Sequence, residues 1–298
     1  MLIQKLEKKK LIHPPKWLAN NTIYLTLMGS MCYGTNTDES DWDIYGITIP
    51  LRDQVFPHLA GEIQGFGTQK KRFNQWSEHH VFDKEENKEY DLTVYNIVSY
   101  FSLLMGMNPN IVDSIWTPDN YILHNTQIGV LIRDNRKLFL NKKLWHTFRG
   151  YAASQKHKML GKNPDNDSKR KALRDKYGWD VKYGMHLCRN LLEAEMLLSE
   201  GDMDLQRDKE FLKGIRRGEM TQQEVFDWAT AKGFQLEKIY AESKLPWGPD
   251  EEKIKTLLLS CLEIQYGSLD KCVVIGNNYE VALQKIEDII QDLRRKEN

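Results

Sequence analysis

The order of apolar and polar positions divides the chain into an α/β part followed by a helical part. β-Branched and aromatic residues dominate Thr22–Met28 and Trp42–Ile49, so both stretches predict strands, the first of them buried. His79–Asp83 and Glu89–Tyr95 flank a polar turn and predict a hairpin, and a helix is expected to run through Met105. Pro14 and Pro15 are placed to open a short helix through Leu18. From residue 126 onward apolar residues recur at helical spacing, over 126–140, 143–160, 178–199, 206–216, 221–232, 250–264 and 278–295. Between these elements, residues 52–75 hold Pro57, Gly61, Gly65 and Gly67 and read as an irregular connection. Gly161–Lys176 reads as a mobile basic loop, able to close on phosphates or to serve as a solvated linker.

Composition narrows this picture. A chain of 298 residues with 41% hydrophobic content can form one large or two modest domains with a proper core. No apolar run approaches the eighteen or so residues of a membrane span, and the N-terminus lacks a secretory apolar segment, so a cytoplasmic protein is expected. Cys32, Cys188, Cys261 and Cys272 are scattered without C-x-x-C spacing and read as reduced thiols, not a zinc site or a disulfide frame. Charge balances at 42 basic and 42 acidic residues, which argues against a general nucleic-acid coat. Residues 136–176 nevertheless carry 13 Lys and Arg against three Asp, while residues 193–254 lean acidic.

The candidate chemistry lies at the two N-terminal strands. The first delivers the chain to Gly29-Ser30, where a residue without a Cβ lets backbone N–H groups approach phosphate oxygens and Ser30 can cap a short helix. After ten residues come Asp41 and Asp43, two apart on a predicted strand and therefore on one face. Two neighbouring carboxylates repel each other unless a cation lies between them, and hard oxygen donors suit Mg²⁺ or Mn²⁺. With Asp38, Glu39 and Asp53 nearby, the pocket is expected to be acidic and to need that metal before phosphate enters.

Met28-Gly29-Ser30 followed by Asp41-Trp42-Asp43-Ile44 resembles the signature of the DNA polymerase beta-like nucleotidyltransferase superfamily. Tyr33-Gly34, Ser40-Asp41 and Gly46 make it similar, within that superfamily, to the predicted nucleotidyltransferases associated with RNA-repair operons. Tyr90–Tyr95, Asn108–Trp116, Gly150–Gln155, the helix with Lys182, His186 and Arg189, and Ser243–Asp250 extend the likeness over about residues 20–250. The resemblance implies an α+β fold, with a mixed sheet flanked by helices in a catalytic domain over residues 1–125. A helical domain over 126–298 would complete the nucleotide cleft. It also implies NTP as substrate and transfer of NMP to a hydroxyl, most plausibly an RNA (tRNA) end, with release of pyrophosphate. Transfer to a protein or small molecule, or a nucleotide-binding module without turnover, stays open, as does any protein partner.

Two-metal transfer calls for a third carboxylate on a neighbouring strand. Glu89 and Asp91 share a strand face, and the likeness of Tyr90–Tyr95 to the family's second block favours Asp91. The expected metal ligands and catalytic residues are thus Asp41, Asp43 and Asp91. Departing pyrophosphate needs donors from elsewhere. Lys182, His186 and Arg189 form one polar helix stripe, and Tyr151, Gln155 and Lys158 form another. With Gly29 and Ser30, these six are the candidate nucleotide-binding residues, unless the stripes are simply solvated faces. The pair His79-His80 lacks metal spacing and is expected to alternate across a strand. Trp116, Trp145, Trp179, Trp228 and Trp247 read as packing residues.

Overall fold

The computed structural model describes residues 1–37, 40–55, 72–160 and 168–267. Two short helices, α1 (Leu2–Lys8) and α2 (Leu18–Asn21), lead into β1 (Thr22–Leu27), which is buried along its whole length. The four-residue helix α3 (Gly29–Cys32) turns the chain toward β2 (Trp42–Thr48), and α4 (Arg52–Val55) follows. A hairpin of β3 (Gln75–Asp83) and β4 (Lys88–Asn96), two helices, α5 (Ile97–Met105) and α6 (Pro109–Trp116), and the short edge strand β5 (Ile122–Asn125) complete the α+β part. The strands form one mixed sheet in the order β3-β4-β2-β1-β5. Its one parallel pairing among the described residues, β2 with β4, sets Asp43 opposite Asp91.

Local sequence explains the junctions. Gly46 sits where a Cβ would come within 2.7 Å of Leu25 Cδ2 and 3.0 Å of the Tyr24 carbonyl, so only glycine lets β1 and β2 pair this closely. Asn96 ends β4 and caps α5 by accepting from the Val98 amide, and Asn108 caps α6, which opens on Pro109. The remaining helices are α7 (Gln127–Asp134), α8 (Lys143–Leu160), α9 (Ser168–Tyr177), α10 (Val181–Glu200), α11 (Lys209–Arg216), α12 (Gln222–Glu242) and α13 (Glu251–Tyr266). Fifteen of the twenty residues of α10 are buried, which makes it the central post against which α8, α11 and α12 pack. The sheet is covered on both faces. One apolar cluster runs from Ile23 and Ile47 to Leu257 and Leu262, and a smaller one joins Ile3 and Leu6 of α1 to Leu25, Ile44 and Leu92.

Several expectations need correction. The prolines do not open a helix: α2 starts at Leu18, whose amide donates to the Pro15 carbonyl in a turn. The seven-residue α1 was not foreseen, being too short to reveal itself by periodicity and stable here only because Ile3 and Leu6 are buried. The helix expected over 126–140 stops at Asp134 and gives way to a 3-10 turn over Arg136–Phe139. The helix expected to end at 232 continues to Glu242. Residues 168–177 of the supposed basic loop are helical, tied down by ion pairs from Arg170 and Arg174 to buried Asp180. Arg52–Val55 is helical within the supposed irregular connection, while residues 56–71, 161–167 and the helix expected over 278–295 lie outside the described residues. Trp247 is 73% exposed, unlike Trp116, Trp145 and Trp179, which are buried. Cys32, Cys188 and Cys261 are free and buried, and Cys272 lies outside the described residues. No helix among the described residues is long and apolar enough to cross a membrane.

Candidate active site

The end of β1 is bound directly to the Asp43 position. The Met28 amide donates to the Asp43 carbonyl at 2.6 Å, and Gly29 turns the chain with φ +64°. A Cβ on Gly29 would stand 1.8 Å from Asp43 Oδ2. The space that glycine leaves is therefore filled by the carboxylate, and the turn and the aspartate form one unit. Ser30 is inside α3, not at its cap; the cap position is Met28, and no side chain caps that helix. Ser30 lines the cleft beside Gly29, and its carbonyl accepts from the Thr35 amide at 2.8 Å.

Asp41 directly precedes β2, and Asp43 and Asp91 are register partners on adjacent parallel strands. Burial, then the Asp91 and Asp41 charges, push the Asp43 carboxyl up to about 6 against the opposing effect of Lys182 and Arg189. Asp91 uses Oδ1 to accept from the His80 amide at 2.7 Å, and the same oxygen lies 3.6 Å from His79 Nδ1. This contact exists because the β3–β4 register slips between Glu78 and Val81, with His80 at φ 57°. The histidines thus do not alternate along a regular strand. His80 Nδ1 lies 2.8 Å from Glu89 Oε1, and that hydrogen bond, with the Asp91 and Glu89 charges, raises its pKa above the ordinary value. Among the described residues no three His, Cys, Asp or Glu side chains are gathered into a ready ion cage. The donor chemistry, hard carboxylate oxygens in register and mutually repelling, nevertheless fits a divalent cation such as Mg²⁺.

These groups open onto a cleft of about 1270 Å³. Gly29, Ser30, Asp41, Asp43 and Asp91 line it from α3 and the sheet; Tyr151, Gln155 and Lys158 reach it from α8, and Lys182, His186 and Arg189 from α10. Among the described residues eight Lys and Arg side chains line the cleft against three Asp, the reverse of the acidic pocket expected, while Asp38, Glu39 and the Asp53 side chain lie outside the described residues. Local sequence could not show this, since Arg170 and Lys176 arrive from α9 and Arg216 from α11. The cations crowd one another. Burial lowers the Lys182 pKa, with Arg170 and Arg216 adding to it, and Lys182 has no carboxylate in ion-pair range among the described residues. Burial and Arg170 also lower Arg216, whose guanidinium donates to the Thr35 carbonyl at 3.2 Å. His186 is held well below its ordinary pKa by burial, then by Arg189, Lys182, Arg170 and Arg216, so it faces the cleft as a neutral ring.

Arg189 has a second commitment. Only 7% exposed, it lies 3.2 Å from Glu193 Oε1 and 3.8 Å from Asp113 Oδ2, with its guanidinium 4.0 Å over the Tyr33 ring. The Tyr33 hydroxyl donates to Asp113 Oδ2 at 2.6 Å. One guanidinium cannot neutralise two buried carboxylates. Burial raises Asp113 to about 6, and burial and the Asp113 charge raise Glu193 well above its usual range, so Glu193 keeps the shared proton. Sequence reasoning missed both acids. The signal was available, for each interrupts an apolar helical run, Ile111-Val112-Asp113 and Leu191-Leu192-Glu193.

No curated protein matches the chain. Among solved structures it is similar to a nucleotidyltransferase-like protein from Exiguobacterium sibiricum 255-15. The two are 11% identical with a TM-score of 0.29, over 80% of this chain and 73% of that one. A family model matches residues 3–231, and the chain belongs to the RNA repair pathway DNA polymerase beta family.

Proposed function

We propose that this protein transfers a nucleoside monophosphate from an NTP to a terminal hydroxyl of an RNA, with release of pyrophosphate, as a step of RNA repair. The observation that carries the reading is one cleft lined both by Asp41, Asp43 and Asp91, from the sheet, and by Lys158, Lys182, His186 and Arg216, from helices α8, α10 and α11. The family description supplies the RNA-repair context. Asp41, Asp43 and Asp91 would hold Mg²⁺ or Mn²⁺, which when bound acidifies the attacking hydroxyl and screens the triphosphate.

The side chains of the protein do the rest. Lys182 and Arg216 have no carboxylate partner among the described residues, so a polyphosphate is the partner their burial requires. They hold the β- and γ-phosphates and take up the charge that develops as pyrophosphate leaves. Neutral His186 donates a hydrogen bond there without adding to the repulsion among the cations. Asp91 Oδ1 is held by the His80 amide, which leaves Oδ2 to receive the proton of the acceptor hydroxyl. The new bond joins the acceptor oxygen to the α-phosphorus as the bond to the β-bridging oxygen breaks.

Incubation with α-labelled NTPs, Mg²⁺ or Mn²⁺ and RNA moves label to the RNA, and Asp41→Ala or Asp43→Ala abolishes transfer. Full activity in either variant refutes the assignment. Label on a polypeptide or a small hydroxyl compound, with RNA inert, replaces the acceptor and keeps the reaction.

A further inference from the structure

Carboxylates and cations account for only part of the cleft wall. Tyr45, Asn110, Tyr151 and Gln155 also line it, and all four are partly buried. The helical segments that supply Asn110, Tyr151 and Gln155 are neutral, since neither residues 96–112 nor residues 150–155 include a charged side chain. Tyr45 lies two residues beyond Asp43 on the same face of β2, about 7 Å along the strand, and its ring meets Tyr95 edge-on at 5.9 Å. From the helical side, Asn108 Nδ2 donates to the Tyr151 hydroxyl oxygen at 2.9 Å. The direction of that bond is fixed. Asn108 is the cap of α6, where its Oδ1 accepts from the Ile111 amide, so its NH₂ group is the one turned to Tyr151. The Tyr151 oxygen therefore accepts, and its own proton has no acceptor among the described residues. The Asn110 and Gln155 amides likewise have no hydrogen-bond partner among the described residues.

We propose that Tyr151, with Asn110 and Gln155, recognises the nucleobase of the NTP, and that Asn108 is the positioning residue that aims the Tyr151 proton into the cleft. This rests on the NTP-substrate reading above. A base is neutral and edged with donors and acceptors, as are two amides and a phenol, and every base has a ring nitrogen or carbonyl to take the Tyr151 proton. Placement along α8 agrees. Tyr151, Gln155 and Lys158 follow one another on a single face, so the wall passes from phenol to amide to ammonium in about 10 Å. At the ammonium end Lys158 and Arg170 converge on the Tyr183 ring, 5.8 and 3.9 Å from its centroid. A ligand lying along this face meets neutral groups first and cations last. That is the charge order of a nucleoside triphosphate, and not of a polyphosphate alone.

The test is calorimetric binding to the full chain, with Mg²⁺ and without RNA, of the NTP that wild type holds most tightly, of ribose triphosphate and of tripolyphosphate. Tyr151→Phe weakens the NTP roughly fivefold, the loss of one hydrogen bond, and leaves the two ligands without a base unchanged. Asn108→Asp keeps the helix cap but replaces the NH₂ group by an acceptor, which draws the Tyr151 proton out of the cleft. It lowers the ratio of NTP to tripolyphosphate affinity by the same factor, and the double variant loses no more of that ratio than either single one. Tripolyphosphate binding also reports that each variant is folded. Unchanged NTP affinity in Tyr151→Phe overturns the proposal, as does an equal loss toward ribose triphosphate or tripolyphosphate, or a wild-type ratio in Asn108→Asp. Tyr151-dependent NTP binding without label transfer refutes the transferase reading alone. Label transfer by a Tyr151→Phe protein of wild-type NTP affinity refutes only the base site.

Discussion

A single missing methyl group sets the geometry of the carboxylate side of the cleft. Gly29 combines φ +64° with a Cβ direction that ends 1.8 Å from Asp43 Oδ2, so alanine there is strained twice, in its backbone and against the carboxylate. Gly29→Ala is expected to cost about 1–3 kcal/mol in urea unfolding and, by displacing Asp43, roughly 100-fold in label transfer. His186 gives a second prediction at this scale. Its folded pKa is below the unfolded value of about 6.5, so as pH falls through that value the unfolded chain takes a proton the folded one refuses. Stability from this site is complete above about pH 6.5 and declines below it. His186→Gln should flatten that decline in urea titrations. Pyrophosphate should raise the His186 pKa, seen as a downfield shift of its Cε1 proton by NMR, because the anion offsets Arg189, Lys182, Arg170 and Arg216.

At the scale of elements, the meeting of α9 and α10 organises the cationic side. Asp180 caps α10 by accepting from the Lys182 and Tyr183 amides at 3.1 Å, and it receives Arg170 at 3.0 and 3.1 Å. One buried side chain therefore fixes the start of the helix that bears Lys182 and the rotamer of an arginine beside it. Asp180→Ala should lose about 2 kcal/mol of stability, with weaker NTP binding by calorimetry. Asp180→Asn retains a cap acceptor and should recover most of the stability but less of the affinity. The strands show a parallel logic, because the β2–β4 pairing decides that Asp43 and Asp91 face each other, and a slip of one residue would send Asp91 to the opposite face.

Across the whole molecule, α3, α6 and α10 are tied through Tyr33, Asp113, Arg189 and Glu193, so the floor of the cleft is also part of the core. Removing Arg189 leaves two buried carboxylates without a cation, and Arg189→Met should cost about 3–5 kcal/mol. The pH sign follows from the raised carboxyls. The folded protein keeps a proton on Glu193 that the unfolded chain loses above about pH 4.5, so this pair favours folding at low pH and less so as pH rises. Glu193→Gln, close in shape to the protonated acid, should remove that slope, at most about 1.4 kcal/mol per pH unit. Comparing wild-type and variant unfolding free energies from acid to alkaline pH checks it, and a difference independent of pH would refute the shared proton.

The sequence alone determined the parts written in neighbouring residues. Strands β1 and β2, the Gly29-Ser30 turn, the spacing to Asp41 and Asp43, and the polar stripes of α8 and α10 follow from side-chain periodicity, which is local. Alternation along β4 put Glu89 and Asp91 on one face and the family likeness favoured Asp91, but its place opposite Asp43 depended on parallel pairing across residues far apart in the chain. The sign of the cleft was decided only by tertiary structure, since Arg170, Lys176 and Arg216 come from helices whose approach no local pattern records. Arg189 was expected as one of a polar stripe facing the nucleotide, and packing also made it a buried ion-pair partner, because only the folded chain brings Asp113 and Glu193 beside it. Trp247 read as core by composition, and its exposure was set by where the connector crosses the surface. Periodicity tells which face a residue takes on its own element, but which element that face meets depends on long-range packing, and the chemistry of this cleft lies in those meetings.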